Sequence, residues 1–205
     1  MTQPHTGYWP STVDYGQVMQ NPKANFLDPQ IQAAQAVTDD RNKRPLRWVG
    51  SFAAVFQLCD ARLRRNWAIK CFTKHVSGLQ ERYQQVDLHL REQRDQLPFL
   101  IDFEYLPDEA LVRGARYPVV KMDWVQGLCL NEFLLDCFEN GTSQGTFPIL
   151  CEMWLKLAQR LRGAQVAHGD LQHGNVLLVP DAYKAGAFNL RLIDYDGMYL
   201  SLIHI

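Results

Sequence analysis

The chain has 205 residues, enough for one domain or for one and part of another. Its 47% hydrophobic and 21% charged residues are ordinary for a globular protein, and a formal net charge of −1 offers no basic surface for nucleic acid. The first residues lack a basic stretch followed by an apolar run, and no apolar stretch reaches membrane-spanning length. The expected compartment is the cytoplasm, with neither membrane nor nucleic acid as partner. Cys59, Cys71, Cys129, Cys137 and Cys151 are scattered through apolar patterns without a CxxC pair, so they read as buried reduced thiols.

Residues 1–45 are polar and broken by Pro4, Pro10, Pro22, Pro29 and Pro45. Ser11 caps a short helix over residues 12–20, stopped at Asn21-Pro22, and the rest reads as an extended leader, without chemistry, that packs on a neighbouring domain. Residues 46–58 hold two apolar runs around Val49-Gly-Ser-Phe-Ala-Ala54. The strand Trp67-Ala-Ile-Lys-Cys-Phe72 follows the polar turn of residues 60–66. In that strand Ala68, Lys70 and Phe72 share one face. A mid-strand lysine beside a small residue points to a charge reaching a bound partner; a lysine snorkelling from an edge strand is the plainer alternative. Residues 79–97 have helical period through Leu79, Tyr83, Val86 and Leu90, and Pro98 ends that helix. Residues 99–106 and 117–125 are strand-like, separated by a loop with Pro107, Asp108 and Gly114. Residues 130–138 form a short helix and 140–145 a loop. Residues 149–161 form a stronger helix with Leu150, Met153, Trp154, Leu157 and Leu161 on one face. Strands, a helix, strands and then helices argue for an α+β fold.

The C-terminal part carries the chemistry. Ala167-His-Gly-Asp-Leu-Gln-His-Gly-Asn-Val-Leu-Leu-Val179 and Leu190-Arg-Leu-Ile-Asp-Tyr-Asp-Gly197 place Asp170, Asn175, Asp194 and Asp196 among apolar runs. Residues 176–179 and 190–193 read as strands, and residues 180–189, with Pro, Gly, Asp and Asn, as the hairpin loop. In an antiparallel hairpin the start of the first strand lies beside the end of the second. Asn175 and Asp194 are therefore predicted neighbours, with Asp170 on the loop that feeds them. Such oxygen ligands suit Mg²⁺, which takes one or two carboxylates together with phosphate oxygens. A zinc reading of His168, Asp170 and His173 leaves the Lys70 strand and the Gly50 loop unexplained.

With these motifs assembled, the chain resembles the protein-kinase-like superfamily, in a bacterial form with an HGD-type catalytic loop and a truncated C-terminus. His168-Gly-Asp-Leu-Gln-His-Gly-Asn175 is similar to the catalytic loop H-R-D-L-x-x-x-N, and Asp194-Tyr-Asp-Gly197 stands where the D-F-G segment begins. Ala68-Ile-Lys70 is similar to the lysine-bearing third strand. Val49 to Val55 resembles the Gly-rich loop, and Val120-Lys-Met-Asp-Trp-Val125 resembles the strand and hinge lining the adenine pocket. The resemblance implies a bilobal fold: a leader at 1–45, a β-rich small lobe at 46–125, and the start of a helical large lobe at 126–199. It implies ATP and Mg²⁺ as cofactors. Gly50, Phe52, Ala53, Val55, Ala68, Lys70, Met122, Asp123 and Val125 would surround the nucleotide, with Met122 as gatekeeper and the backbone of Asp123 and Val125 on adenine. Lys70 would hold the α- and β-phosphates, and Glu81 would pair with it, with Asp87 or Glu92 as alternatives. Asn175 and Asp194 would hold the metal, Asp170 would receive the acceptor's proton, and His168 would pack beneath the loop.

Departures from the family pattern bear on the acceptor. Trp48 and Ala53 replace two of the three loop glycines, Gln172 replaces a lysine, and Gly169 replaces the arginine through which a phosphorylated activation loop exerts control. His-Gly-Asp-Leu and the second acid Asp196 are also seen in aminoglycoside and choline kinases. The expected function is ATP- and Mg²⁺-dependent phosphotransfer to a protein Ser/Thr hydroxyl. A small-molecule kinase and a catalytically inactive kinase-like binding module are the alternatives. Residues 200–205, Leu-Ser-Leu-Ile-His-Ile, are what a transposon end used in sequencing libraries encodes. They read as a scar following Tyr199, with a natural apolar tail as the alternative, and the chain as given is expected to be inactive by itself.

Overall fold

A computed structural model describes residues 7–181, 183, 184 and 186–200. The chain divides into two compact units. One takes in the described residues up to Arg82 together with Asp102–Trp124; the other takes in Tyr83–Ile101 and the described residues from Val125 onward. Helices and largely antiparallel sheets make the protein α+β.

The first unit contains α1 (Thr12–Val18), α2 (Pro22–Asn25), α3 (Pro29–Ala33), β1 (Gln35–Ala36), β2 (Arg47–Val49), β3 (Ala53–Asp60), β4 (Arg65–Phe72), β5 (Phe103–Val112) and β6 (Ala115–Asp123). The strands form one sheet in the order β1-β3-β4-β6-β5, with β2 also pairing β3. Every pairing in it is antiparallel. Because side chains alternate, each strand divides its residues between two faces. Phe56, Leu58, Trp67, Ile69, Cys71 and Val119 lie on one face and are buried against Tyr15, Met19, Phe26 and Ile31 of the N-terminal segment.

The expected helix after Ser11 is present as α1, while the rest of the stretch, up to Ala36, is not an extended leader. From Thr12 to Ala36 the chain forms three short helices and a strand that complete the sheet's core. Helices this short are marginal alone and owe their stability to tertiary contacts. Polar ties add to the apolar ones. Asp14 closes a capping box with Ser11 and also accepts from Arg113 Nη2 at 2.7 Å. The Ser11 hydroxyl, with Tyr8 and Arg113, holds the Asp14 carboxyl far below the usual carboxylate range. The buried Glu109 accepts from the Leu27 and Asp28 amides at 2.7 and 2.6 Å. Lys121 Nζ reaches Asp28 at 2.6 Å and Glu104 at 2.9 Å. Burial opposes the Lys121 charge, but these two carboxylates outweigh it and raise its pKa.

The turn between β5 and β6 also differs from expectation. Pro107 and Asp108 suggest a loop by residue type, yet β5 runs through them to Val112, with an irregularity in pairing between Leu106 and Ala110. A bulge tolerates proline's missing N–H. The chain reverses at Arg113-Gly114, both with positive φ (48° and 84°), which matches a two-residue hairpin turn.

In the second unit, α4 (Leu79–Glu92) crosses the division between Arg82 and Tyr83. It ends earlier than expected, passing into a 3-10 turn at Arg94–Gln96, because residues 91–96 offer no apolar side chain to bury. After it come β7 (Leu128–Cys129), α5 (Leu130–Asn140), α6 (Thr146–Gly163), β8 (Val166–Ala167), β9 (Val176–Pro180), β10 (Phe188–Leu192) and β11 (Tyr199–Leu200). Strands β10, β9 and β7 make a three-stranded sheet, and β11 pairs β8. On α6, Leu150, Leu157 and Leu161 are buried, while Met153 and Trp154 are half-buried. Of the residues read as a scar, Leu200 lies in β11; residues 201–205 lie outside the described residues.

The cysteine expectation holds for Cys71 and Cys137, which are buried; Cys59 and Cys129 are half-buried and Cys151 is exposed. Position 151 follows the inward Leu150 and so faces outward on α6. Among the described residues no helix is long and apolar enough to cross a membrane.

Candidate functional site

The candidate residues fall into two groups, one in each unit. In the first unit the sheet face opposite the N-terminal helices is set by register. Val55 pairs Lys70, and Lys70 pairs Val120. Ala68 pairs Met122, and Trp48 pairs Val55. Directly opposed residues share a face, so Trp48, Val55, Ala68, Lys70, Val120 and Met122 lie together. Lys70 is 6% exposed, and its Nζ lies 5.6 Å from the centroid of the Phe52 ring, within cation–π range. The Asp123 side chain points to the other face, where it accepts from Arg65 Nη2 at 2.8 Å. Trp124 continues the ladder by donating its N–H to the Asn66 carbonyl at 3.0 Å, and Val125 follows it.

The Gly50 turn is tighter than a phosphate-cradling loop requires. The Gly50 N–H donates to the Ala53 carbonyl at 2.8 Å, closing a two-residue turn at Ser51-Phe52. Ala53 is not a loop residue: it opens β3, is buried, and pairs Phe72. Ser51 and Phe52 form the tip of that turn. Glu81 is exposed in the first turn of α4. Asp87 is ion-paired with Arg91 at 2.9 Å, and Glu92 is exposed. The buried positions of α4 are Leu79, Tyr83, Val86 and His89.

In the second unit the expected hairpin is present. Strands β9 and β10 are antiparallel, with Leu192 opposite Val176. The Ile193 N–H donates to the Asn175 carbonyl at 3.0 Å, so Ile193 stands opposite Asn175 and Asp194 follows one residue beyond. Asn175 is buried and its Nδ2 donates twice, to the Asp170 carbonyl at 3.0 Å and to Asp170 Oδ2 at 2.9 Å. Gln172 Nε2 donates to the same Oδ2 at 3.0 Å. Neither bond engages Asp170 Oδ1. With Nδ2 committed to Asp170, the oxygen of the Asn175 amide is its atom suited to a metal ion.

Asp194 has φ +66°, in the left-handed region that aspartate tolerates better than most residues. It leads into a 3-10 turn, Tyr195–Gly197. Tyr195 and Tyr83 act as anchors that the sequence reading did not single out. The Tyr195 hydroxyl accepts from the Ile101 N–H at 2.6 Å and donates to the Leu192 carbonyl at 2.9 Å. The Tyr83 hydroxyl donates to the buried Asp196 carboxylate. A tyrosine hydroxyl leaves no spacing signature, so only tertiary contact reveals these roles.

His168 is 1% exposed, as expected of a packing residue. Its Nε2–H donates to the Ile193 carbonyl at 3.0 Å and its ring meets Tyr195 edge-on. Burial pushes its pKa below the ordinary 6.5, against the opposing pull of the Ile193 carbonyl and the Asp194 and Asp170 charges. The folded ring binds a proton less well than the unfolded one. This contribution to stability is whole above about pH 6.5 and is lost as pH falls from there through the lower folded value. Between about pH 7 and pH 5, the fall in Tm with acidification is expected to be shallower in His168→Gln than in the parent. Identical slopes would contradict this.

Among the described residues no group of three or more His, Cys, Asp or Glu side chains is placed to hold a metal. Zinc sites of that kind draw on three or four such ligands. Asn175 and Asp194 offer side-chain oxygens, the donor type that Mg²⁺ prefers.

No protein-family model matches the chain, and no curated protein sequence matches it.

Proposed function

We propose that the protein is a protein-kinase-like phosphotransferase of bilobal type, using Mg²⁺ and ATP to phosphorylate a hydroxyl on a protein, in the cytoplasm. The observation that carries this reading is Asn175. Its buried side-chain amide fixes both the backbone and the carboxylate of Asp170, while its backbone carbonyl accepts from Ile193, the residue before Asp194. Two side-chain bonds to Asp170 orient its carboxylate, which suits chemistry at that carboxylate's oxygens. The buried, mid-strand Lys70 supports the same reading from the other unit.

Each residue has a task. Lys70 binds the α- and β-phosphates. Val55, Ala68 and Met122 offer an apolar surface to adenine. Asn175 and Asp194 would hold Mg²⁺, which would supply positive charge at the phosphates. Asp170, oriented by Asn175 and Gln172, takes the acceptor's proton on Oδ1. The acceptor oxygen forms its bond to the γ-phosphorus as the bond to the β,γ-bridging oxygen breaks, and ADP departs.

A small-molecule acceptor, as in aminoglycoside or choline kinases, is the second reading. It is favoured by Gly169, whose positive φ and contact with Gly197 leave no room for the arginine that protein kinases carry at that position. Calorimetric titration with ATP is expected to show binding that requires Mg²⁺; no binding with the metal present would overturn the proposal. Transfer of a labelled γ-phosphate to protein hydroxyls, rather than to choline or an aminoglycoside, then separates the two readings.

A further inference from the structure

Strand β2 lies at an edge of the first unit's sheet that none of the roles above uses. Arg47, Trp48 and Val49 oppose Phe56, Val55 and Ala54 of β3, and all three are exposed. Among the described residues no strand pairs β2 on its other side. The bond from the Gly50 N–H to the Ala53 carbonyl fixes which backbone groups face that open side. Hydrogen-bonded and non-hydrogen-bonded pairs alternate along an antiparallel ladder. With Gly50 bonded to Ala53, the next bonded pair is Trp48 with Val55, and the backbone groups of Arg47 and Val49 point away from β3. They present two donors and two acceptors in the spacing that a further strand accepts. The segment leading into β2 is basic, with Arg41, Lys43 and Arg44 all exposed. The Asp39 carboxylate is turned to its own loop, accepting from the Arg41 and Asn42 N–H groups at 2.8 and 3.1 Å, and Asp40 pairs with Lys43 at 3.7 Å. Among the described residues no carboxylate pairs with Arg41, Arg44 or Arg47.

We infer that β2 is a docking edge for an extended acidic segment of a partner protein, which joins the sheet as one more strand. The backbone of that segment exchanges hydrogen bonds with Arg47 and Val49, and main-chain bonds of this kind supply affinity whatever the side chains. Side chains then select. A carboxylate opposite Arg47 is favoured as a cross-strand pair. An apolar residue one position on meets Trp48, which is 49% exposed. Further carboxylates meet Arg41 and Arg44. A second copy of this chain suits the edge less well, because it brings more cations to the same place. Nucleic acid offers the charge but lacks the ladder of N–H and C=O groups that the edge accepts. The inference does not depend on the proposed phosphotransfer, since it uses none of the residues assigned to that chemistry.

The test titrates the full chain into a fluorescently labelled peptide that alternates glutamate and valine, followed by anisotropy at low ionic strength. One control peptide carries lysine in place of glutamate. Another is N-methylated at its glutamates, which removes the N–H groups that would bond to β2. The glutamate peptide is expected to bind and the two controls are not. Val49→Pro deletes one outward N–H and leaves the bonds to β3 in place, as proline on an edge strand can. Arg41→Gln combined with Arg44→Gln deletes the charge. Each variant is expected to weaken the glutamate peptide by about threefold to tenfold. No binding of that peptide to the parent, or equal binding of the N-methylated form, would overturn the docking edge without any change to the protein. Equal affinity in the parent and both variants would do the same. If a thymidine oligonucleotide bound and the glutamate peptide did not, the basic loop would serve nucleic acid. A dimer in sedimentation that Val49→Pro dissociates would give the edge to a second copy. Either result removes the acidic partner and leaves the proposed function standing.

Discussion

Asp194→Asn is expected to abolish the Mg²⁺-dependent part of ATP binding, a loss of about 10²–10³-fold, while leaving thermal unfolding close to that of the parent. The size follows from the several kcal/mol that a bound metal supplies at phosphate, each 1.4 kcal/mol being about tenfold. The choice of asparagine follows from the backbone. Asp194 sits at φ +66°, a conformation that Asp and Asn adopt more readily than other non-glycine residues. Alanine would add a conformational cost of about 1–2 kcal/mol to the loss of charge, and a drop in affinity would then have two causes. Asparagine keeps the shape and the left-handed tolerance and removes only the negative charge. If Asp194→Asn bound Mg·ATP with the parent's affinity and the same metal requirement, Asp194 would not be the metal-holding residue.

Gly169→Ala is expected to destabilise the second unit by roughly 2–5 kcal/mol, enough to lower soluble yield and bring the urea midpoint down sharply. Two independent penalties add. Gly169 has φ +79°, where any Cβ costs about 1–2 kcal/mol. The Cβ would also lie 1.9 Å from the Gly197 carbonyl oxygen and 2.6 Å from its carbon. That obstruction is backbone, not a mobile side-chain end, so relief requires moving the turn that follows Asp194. Overpacking of this kind typically costs about 1–3 kcal/mol. Gly174, two positions before the strand that Asn175 leads into, is the natural control. It has no positive φ and nothing within 4 Å of an added Cβ, so Gly174→Ala should unfold near the parent's midpoint. Matching midpoints for Gly169→Ala and the parent would show that the loop and the turn are not in the contact described.

The same contact shows where the reading of motifs met its limit. His168-Gly-Asp170 is visible as a departure from His-Arg-Asp, and glycine there can be read as the loss of an arginine. Why it must be glycine was not visible, because Gly197 is 28 residues away in the chain and approaches through its backbone. Tyr83 and Asp196 pose the same difficulty across 113 residues. Gly127 is a further instance: an added Cβ would lie 2.7 Å from the Leu178 carbonyl oxygen, and nothing in its neighbours announces that approach.

Local chemistry settled much of the rest. Apolar runs and turn residues were enough to predict the β9–β10 hairpin, because antiparallel register follows from strand direction and loop position. The Ser11 cap, the amphipathic stripe of α4 and the shared face of Ala68 and Lys70 followed in the same way, each depending on residues within a few positions of one another. Tertiary structure alone decided what long-range burial controls. The N-terminal residues Tyr15, Met19, Phe26 and Ile31 are too sparse and too punctuated by proline to declare a partner, and only the uncovered back face of the sheet made them core. Trp48 and Trp124 likewise became a pair only when the strands between them were laid side by side, since aromatic contact depends on sheet order, and sheet order is a property of the folded chain.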